Sequence, residues 1–188
     1  MSDLPRLEEA RTAFERRLHA VGPDDWGLPT PCGDWDVRQV VNHVVGHECR
    51  MALLLRGGTL EQFIAVREDD FLGDDAIGAW SRGCQVLDEA MKEPGALEHN
   101  VDYRVGPLTG RVLMDVRTFE LIMHTWDLSR GIGFDEDIRE SLTTWTLDQL
   151  DGPLRFMLQA FPDAPPVPAG LQGQQRLLAL CGRSARRT

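Results

Sequence analysis

The chain has 188 residues, of which 42% are hydrophobic and 27% charged, a composition typical of one globular domain of ordinary size. Thirty acidic against twenty basic side chains give a formal net charge of −10, which disfavours binding to nucleic acid or to an anionic membrane surface. No apolar run is long enough to span a bilayer, and the start lacks the basic-then-apolar order of a signal peptide. We therefore predict a cytoplasmic protein with no nucleic-acid or membrane partner and with reduced cysteines.

Helical periodicity dominates the first half of the sequence, and no segment of comparable length alternates with the strand period of two. The first predicted helix carries Arg11 within its apolar stripe and ends at Gly22-Pro23. A loop rich in Gly, Pro and Asp then leads to Asp34 and Asp36, either of which could cap a second helix that runs to about Arg56. Residues 59–73 are predicted to be a loop or a short helix.

The second half continues this pattern. A third helix is predicted to end at Pro94-Gly95, and residues 101–105 form an extended excursion in which a strand pair is a weaker alternative. A fourth helix should begin near Gly110 and end at residues 131–133, and a fifth helical region spans roughly 135–150. A last apolar turn then reaches Phe161.

Helices of these lengths with short connections predict an all-α fold. We expect an antiparallel four-helix bundle with extra short helices over residues 1–161. A proline-rich linker and tail over 162–188 would pack on the bundle or trail from it.

The fourth predicted helix holds the most informative polar residues. At about 100° per residue, Glu120, His124 and Asp127 fall on one side among apolar residues, where an ionisable group costs free energy unless it is paired. Such a carboxylate and imidazole can bind one metal ion or can simply hydrogen-bond to each other. The same spacing occurs at Glu15 and His19 on the charged side of the first helix, where we expect only solvent. The side of the fourth helix predicted to face solvent consists of Arg111, Thr118, Thr125 and Ser129.

The second predicted helix supplies further imidazoles. His47 falls within its apolar face and His43 at the edge, so a two-histidine site on this helix competes with a site shared between the second and fourth helices. The plain alternative is one core histidine and one exposed histidine. Two helices turn histidines toward the same core, and this convergence favours a metal site. With His43, Glu120 and His124 as the three ligands, a fourth position would stay open, as in a catalytic zinc site. A metal held there can lower the pKa of a bound water or thiol.

Other side chains carry weaker signals. Cys32 precedes the second helix, whose dipole could lower a thiol pKa, although a structural cysteine in a turn is the plainer interpretation. Trp35 and Trp126 are expected to pack beside the histidine-bearing helices. Arg104 and Arg117 could meet an anionic substrate, but we expect each of them to be solvated. Nucleotide-binding and serine-hydrolase motifs are absent.

Four segments form a recognisable combination in this order: TPCGDWDVR at 30–38, NHVVGH at 42–47, ELIMHTWDL at 120–128 and RLLALCGR at 176–183. Together they resemble the actinobacterial proteins related to mycothiol-dependent maleylpyruvate isomerase. That group belongs to the DinB-like superfamily of four-helix bundles. The resemblance covers nearly the whole chain and implies the same bundle here.

In that family a divalent metal, usually zinc, is bound by the histidine of an H-x-x-G segment and by the Glu and His of an E-x-x-x-H segment. The resemblance therefore implies His43, Glu120 and His124 as the ligands, with Zn²⁺ as the expected metal and Ni²⁺ as the alternative. It favours His43 over His47 as the ligand on the second helix. The candidates for the surrounding pocket are His47, Asp127, Trp35 and Trp126.

The resemblance also implies a kind of chemistry. Known enzymes of the superfamily are mostly metal-dependent transferases or isomerases that use a low-molecular-weight thiol. We therefore expect a zinc-dependent thiol transferase or isomerase, with mycothiol or a related thiol and a small electrophile as its partners. The alternative is a non-catalytic metal- or small-molecule-binding protein of a stress response. Homodimers are common among relatives, so the resemblance is compatible with a homodimer.

Overall fold

The computed structural model describes residues 4–184, and these fall into two compact units divided between Asp135 and Glu136. Helices dominate, as predicted, and one small sheet accompanies them. The first unit contains α1 (Pro5–Leu18), α2 (Val37–Leu55), α3 (Leu60–Ala65), α4 (Ala76–Met91), β1 (Asn100–Tyr103), β2 (Gly106–Thr109) and α5 (Gly110–Gly131). The second contains α6 (Glu140–Asp151), a 3-10 helix (Arg155–Ala160) and α7 (Gly173–Leu180).

The core of the first unit lies between its four long helices. Helix α2 packs against α4 and α5, and α1 packs against α5. Strands β1 and β2 form an antiparallel pair in which Val101 lies opposite Leu108 and Tyr103 opposite Gly106. The excursion predicted over 101–105 is thus a β-hairpin, whose inward residues Val101 and Tyr103 are buried. No helix among the described residues is long and apolar enough to cross a membrane.

Two capping boxes fix the helices near the histidines. Of the two predicted caps of α2, the structure uses Asp36: its carboxylate accepts from the Gln39 backbone N–H at 2.8 Å, and the Gln39 side chain accepts from the Asp36 N–H at 2.9 Å. Thr59 and Gln62 form the same box at the start of α3. The ambiguous stretch after α2 therefore begins with a short helix, which buries Phe63.

Helix α5 has the predicted boundaries but not the predicted solvent face. Thr118, Thr125 and Ser129 are buried, and only Arg111 of that predicted face is exposed. The two threonine hydroxyls donate to backbone carbonyls four residues earlier, at 2.8 and 2.6 Å, and the Ser129 hydroxyl accepts from Arg17 Nε at 3.1 Å. These hydroxyl groups thus have hydrogen-bond partners although the helix is surrounded by protein on nearly all sides.

A buried ionic network joins the four long helices. Glu48 on α2 accepts hydrogen bonds from Arg117 on α5 and from Arg11 on α1, each at 2.9 Å, and Arg11 also contacts Asp88 on α4 at 2.6 Å. Arg117 and Glu48 are both fully buried, so the expectation of a solvated Arg117 is wrong. The cause is Glu48, whose carboxylate compensates the guanidinium inside the core. Arg104 is exposed, as expected.

The second unit begins its helix later than predicted, at Glu140 rather than near Asp135. Helix α6 packs against α7, which lies inside the segment predicted as a tail. Residues 162–170 form no helix or strand. The assignment of 1–161 to one bundle and 162–188 to a tail remains a prediction.

Candidate metal centre

Two helices bring the predicted ligands together. His43 and His47 lie one turn apart on α2, Glu120 and His124 lie one turn apart on α5, and these helices pack against each other. The His43 ring centroid is 4.9 Å from that of His47 and 4.9 Å from that of His124. Glu15 on α1 and His19, which follows its last residue, have the same spacing as Glu120 and His124, and both are exposed, as expected.

One group of possible metal donors consists of His43, His47 and Glu120, whose ligand atoms all lie within 4.8 Å of one another. His47 is 2% and Glu120 9% exposed. His47 Nδ1 lies 2.5 Å from Glu120 Oε2, yet among residues 4–184 neither atom has a partner in hydrogen-bond geometry. Both atoms are buried, and each can donate a lone pair to a metal ion. Since no hydrogen is well placed between them, the pair suits a cation bound to both.

The protonation states of this group also suit a metal. Burial lowers the pKa of His43 well below its usual value, and the neighbouring His124 and His47 lower it further. Burial lowers the pKa of His47 to about 4, against the opposing effect of Glu120. Burial alone would raise the pKa of Glu120, but His47, His124 and Arg117 lower it to about 2. At neutral pH the group therefore offers neutral imidazoles and an ionised carboxylate, the forms that bind a metal ion.

A second group of possible donors adjoins the first and consists of His124, Asp127 and Cys32. His124 Nδ1 lies 3.1 Å from the carboxylate of the fully buried Asp127. Burial alone would lower the pKa of His124, but hydrogen bonds with Asp127 and Cys32 raise it to about 9. A carboxylate on one ring nitrogen fixes the orientation of a metal-binding imidazole and increases its basicity. The predicted ligands are thus divided between two adjacent groups, with His124 in the second.

The predicted pocket residues have different positions. The Trp35 ring lies 4.8 Å from the His43 ring and 6.1 Å from the His124 ring, between centroids. Trp126 is buried on α5 under the Arg130 guanidinium, and among the described residues its ring makes no aromatic contact with a histidine. Trp35 therefore forms part of the wall of the site, and Trp126 is a core residue.

Sequence reasoning missed three side chains at this site. Phe63 lies 5.6 Å from the His47 ring, the Arg50 guanidinium lies 4.9 Å from the Phe63 ring, and the Tyr103 ring lies 5.9 Å from it. Arg50 follows His43 by two helical turns, so its spacing on the apolar face of α2 was the available signal. For Phe63 and Tyr103, the signals were the short apolar patch at residues 63–66 and the alternation of residues 101–103.

Comparison with known proteins bears on this geometry. The family model of the mycothiol maleylpyruvate isomerase N-terminal domain matches residues 7–129, more than half of the chain and the whole of both donor groups. The chain belongs to this family. One uncharacterized protein from each of two strains of Mycobacterium tuberculosis is 27% identical to it over 190 residues, covering 99% of this chain and 100% of the relative. No solved structure matches it.

Membership of the mycothiol maleylpyruvate isomerase N-terminal domain family agrees with the resemblance found from the motifs around His43 and His124. The donor set itself fits a divalent ion such as zinc, since it combines imidazole and carboxylate ligands, and two of its buried donor atoms have no well-aligned hydrogen bond within the described part of the chain. The His124–Asp127 pair adds the supporting carboxylate that metal-binding histidines usually have.

Proposed function

We propose that this protein is a metal-dependent thiol transferase or isomerase that acts on a small electrophile, built on a DinB-like four-helix bundle. The observation that carries the proposal is the buried approach of His47 Nδ1 and Glu120 Oε2 to 2.5 Å, next to His43. Buried polar atoms are rarely left without partners, so this convergence supports a bound cation. The family adds mycothiol as the expected thiol.

His43, Glu120 and His124 are the ligands in this proposal. His43 and Glu120 belong to one donor group, and His124 is oriented by Asp127 through Nδ1, so an ion bound at its other ring nitrogen would displace the proton there. The contact between His47 and Glu120 makes His47 the competing third ligand. Substitution of each histidine separately distinguishes the two sets.

Each residue of the site would have its own role in the proposed reaction. Bound here, a zinc or nickel ion would lower the pKa of a coordinated thiol or water and so supply a nucleophile at neutral pH. Trp35 lies beside the rings of His43 and His124 and would form an apolar wall on that side. Asp127 keeps His124 in one orientation, and burial keeps His43 and His47 neutral.

The test is turnover. Zinc-loaded protein is mixed with mycothiol and a panel of small electrophiles. Conversion of the electrophile and consumption of free thiol are both followed with and without protein, because an isomerase regenerates its thiol and a transferase consumes it. We expect activity that requires both metal and thiol and that falls at least 100-fold in Glu120→Ala, because loss of a ligand removes the activated nucleophile. The matched control is Glu15→Ala, which has the same spacing to a histidine but is exposed.

The second candidate function is metal or small-molecule binding without turnover. The observation that favours it is the low exposure of His47 and Glu120, since closed metal sites are usually structural. Full metal occupancy with no thiol-dependent turnover would decide for this function. The cytoplasmic location and the homodimer stay predictions.

A further inference from the structure

The turn that precedes α2 carries Cys32 and is held in shape by its own hydrogen bonds. The Thr30 hydroxyl donates to the Trp35 carbonyl oxygen at 2.7 Å and accepts from the Cys32 backbone N–H at 3.2 Å. The Trp35 N–H donates to the Cys32 carbonyl oxygen at 3.2 Å. Gly33 follows with a φ of +59°, a conformation that favours glycine. The position of Cys32 is therefore fixed by the turn.

This turn packs along one face of α5. At Gly131 the approach is so close that an added Cβ atom would lie 3.1 Å from Thr30 Cγ2 and 3.4 Å from the Pro29 carbonyl oxygen. His124 and Asp127 precede Gly131 by seven and four residues, and these spacings put all three on the same face of the helix. The turn therefore runs beside the face of α5 that carries His124.

Cys32 adds a sulfur atom to the side chains on this face. The ligand atoms of Cys32, His124 and Asp127 all lie within 4.8 Å of one another, close enough for donors to share one ion. Among the described residues, no other cysteine belongs to a group of possible metal donors. The His124 ring centroid also lies 4.9 Å from that of His43, in the first donor group. An ion bound by His124 would therefore have the Cys32 sulfur beside it.

We propose that Cys32 is a further ligand of the metal ion and binds it together with His124. This inference rests on the proposed function and adds to its site a ligand of a different chemical class. The thiolate is the form of cysteine that binds metal, so the thiol proton would be released to solvent on binding. Sulfur also makes the donor set selective, because zinc accepts thiolate ligands, whereas Mg²⁺ and Ca²⁺ prefer oxygen.

A cysteine ligand would regulate the proposed site. Cys32 would occupy the fourth position beside His43, Glu120 and His124, which agrees with the 9% exposure of Glu120. The other three ligands lie on the long helices α2 and α5, whereas Cys32 lies on a turn, so it can be displaced without moving a helix. Since the proposed cofactor is itself a thiol, it would compete with Cys32 for this position.

The test loads the full chain with cobalt(II), a spectroscopic substitute for zinc. A thiolate bound to cobalt gives an intense near-ultraviolet charge-transfer band that imidazole and carboxylate ligands do not give. We expect this band in the wild type and in Cys49→Ser, and its loss in Cys32→Ser with cobalt still bound. Cys49 is the matched control, since it is half-buried like Cys32 but lies outside both donor groups.

A second measurement uses the wild type alone. Alkylation by iodoacetamide is followed at each cysteine by mass spectrometry, with zinc and after treatment with a chelator. We expect zinc to slow the alkylation of Cys32 at least about tenfold, because a metal-bound thiolate is no longer free to react. The rate at Cys49 should not change.

The outcomes separate this inference from the proposed function. Bound cobalt without a charge-transfer band in the wild type, or a band that persists in Cys32→Ser, would overturn the inference and leave the proposed function standing. A band that depends on Cys32 in a protein without thiol-dependent turnover would do the reverse. A wild type that binds neither cobalt nor zinc would overturn both. If Cys32→Ser does not fold, the alkylation of the wild type decides, and equal rates at Cys32 with and without zinc would contradict the inference.

Discussion

At the scale of single residues, the candidate site depends on the protonation state that each donor takes at neutral pH. Burial lowers the pKa of His43 and of His47, and the pKa of Glu120 stays below its usual value because His47, His124 and Arg117 outweigh its burial. These pKa shifts depend on contacts between residues that are far apart in the sequence. The sequence could place each side chain on an inward face, but it could not show that His47 would contact Glu120.

Asp127→Asn tests the orientation of His124. The carboxylate of Asp127 holds His124 Nδ1 at 3.1 Å, and a neutral amide would hold it less firmly and lower its basicity. We expect zinc affinity, measured by competition with a chromophoric chelator, to fall about 10- to 100-fold. Asp115→Asn on the same helix is the control, since it lies outside both donor groups. An unchanged affinity in Asp127→Asn would indicate that His124 is not a ligand.

At the scale of elements, the helices that carry the ligands are held in register by a charge network outside the site. Glu48 lies between Arg117 and Arg11, and Asp88 extends the network to α4. Burial alone would raise the pKa of Glu48, but the two guanidinium groups lower it below its usual value of 4.5. Its contribution to stability is therefore complete above about pH 4.5 and is lost as the pH falls through the lower folded-state pKa.

Glu48→Gln should leave two buried guanidinium groups without their counter-charge. We expect the free energy of unfolding in urea at pH 7 to fall by about 3–5 kcal/mol. The acid sensitivity of stability between pH 5 and the acid limit should weaken in the variant, since the titrating group is gone. Glu89→Gln, exposed on α4, should change the free energy of unfolding by less than about 0.5 kcal/mol. A loss as small in Glu48→Gln would contradict the role given to the network.

The ends of the helices were largely predictable from the sequence. Which face of a helix is buried was not always predictable. The caps, glycines and prolines around α2 and α5 fixed their ends, because those signals are local. The outward face of α5 was predicted wrongly because a helix buried on nearly all sides has no solvent stripe for the periodicity to reveal. Thr118 and Thr125 were predicted to be surface residues. In the structure each hydroxyl donates a hydrogen bond to a backbone carbonyl of the same helix.

At the scale of the whole molecule, the first unit has its own apolar core apart from the metal group. Val40, Val44, Leu113 and Phe119 are all 1% exposed or less, so the fold does not depend on the ligands for burial. The family match over residues 7–129 lies inside this unit. A metal should therefore stabilise a structure that is already folded.

Chelation of the metal-loaded protein should lower its melting temperature without unfolding it. Binding to the folded state alone contributes about 2.7 kcal/mol at a free metal concentration of 100 Kd, or about 5–10 °C for a chain of this size. Far-ultraviolet circular dichroism should stay near that of the loaded protein. Loss of the helical signal on chelation would instead indicate a structural metal site.

The most direct measurement is the metal content of protein purified without an affinity tag or a chelator. Elemental analysis compares the wild type with His124→Ala, and with His19→Ala as the exposed control. We predict about one divalent ion per chain in the wild type and in His19→Ala, and none in His124→Ala. A wild type that carries no metal and fails to bind added zinc or nickel would contradict the proposal of a metal centre. Full occupancy in His124→Ala, with loss in His47→Ala, would assign the third position to His47.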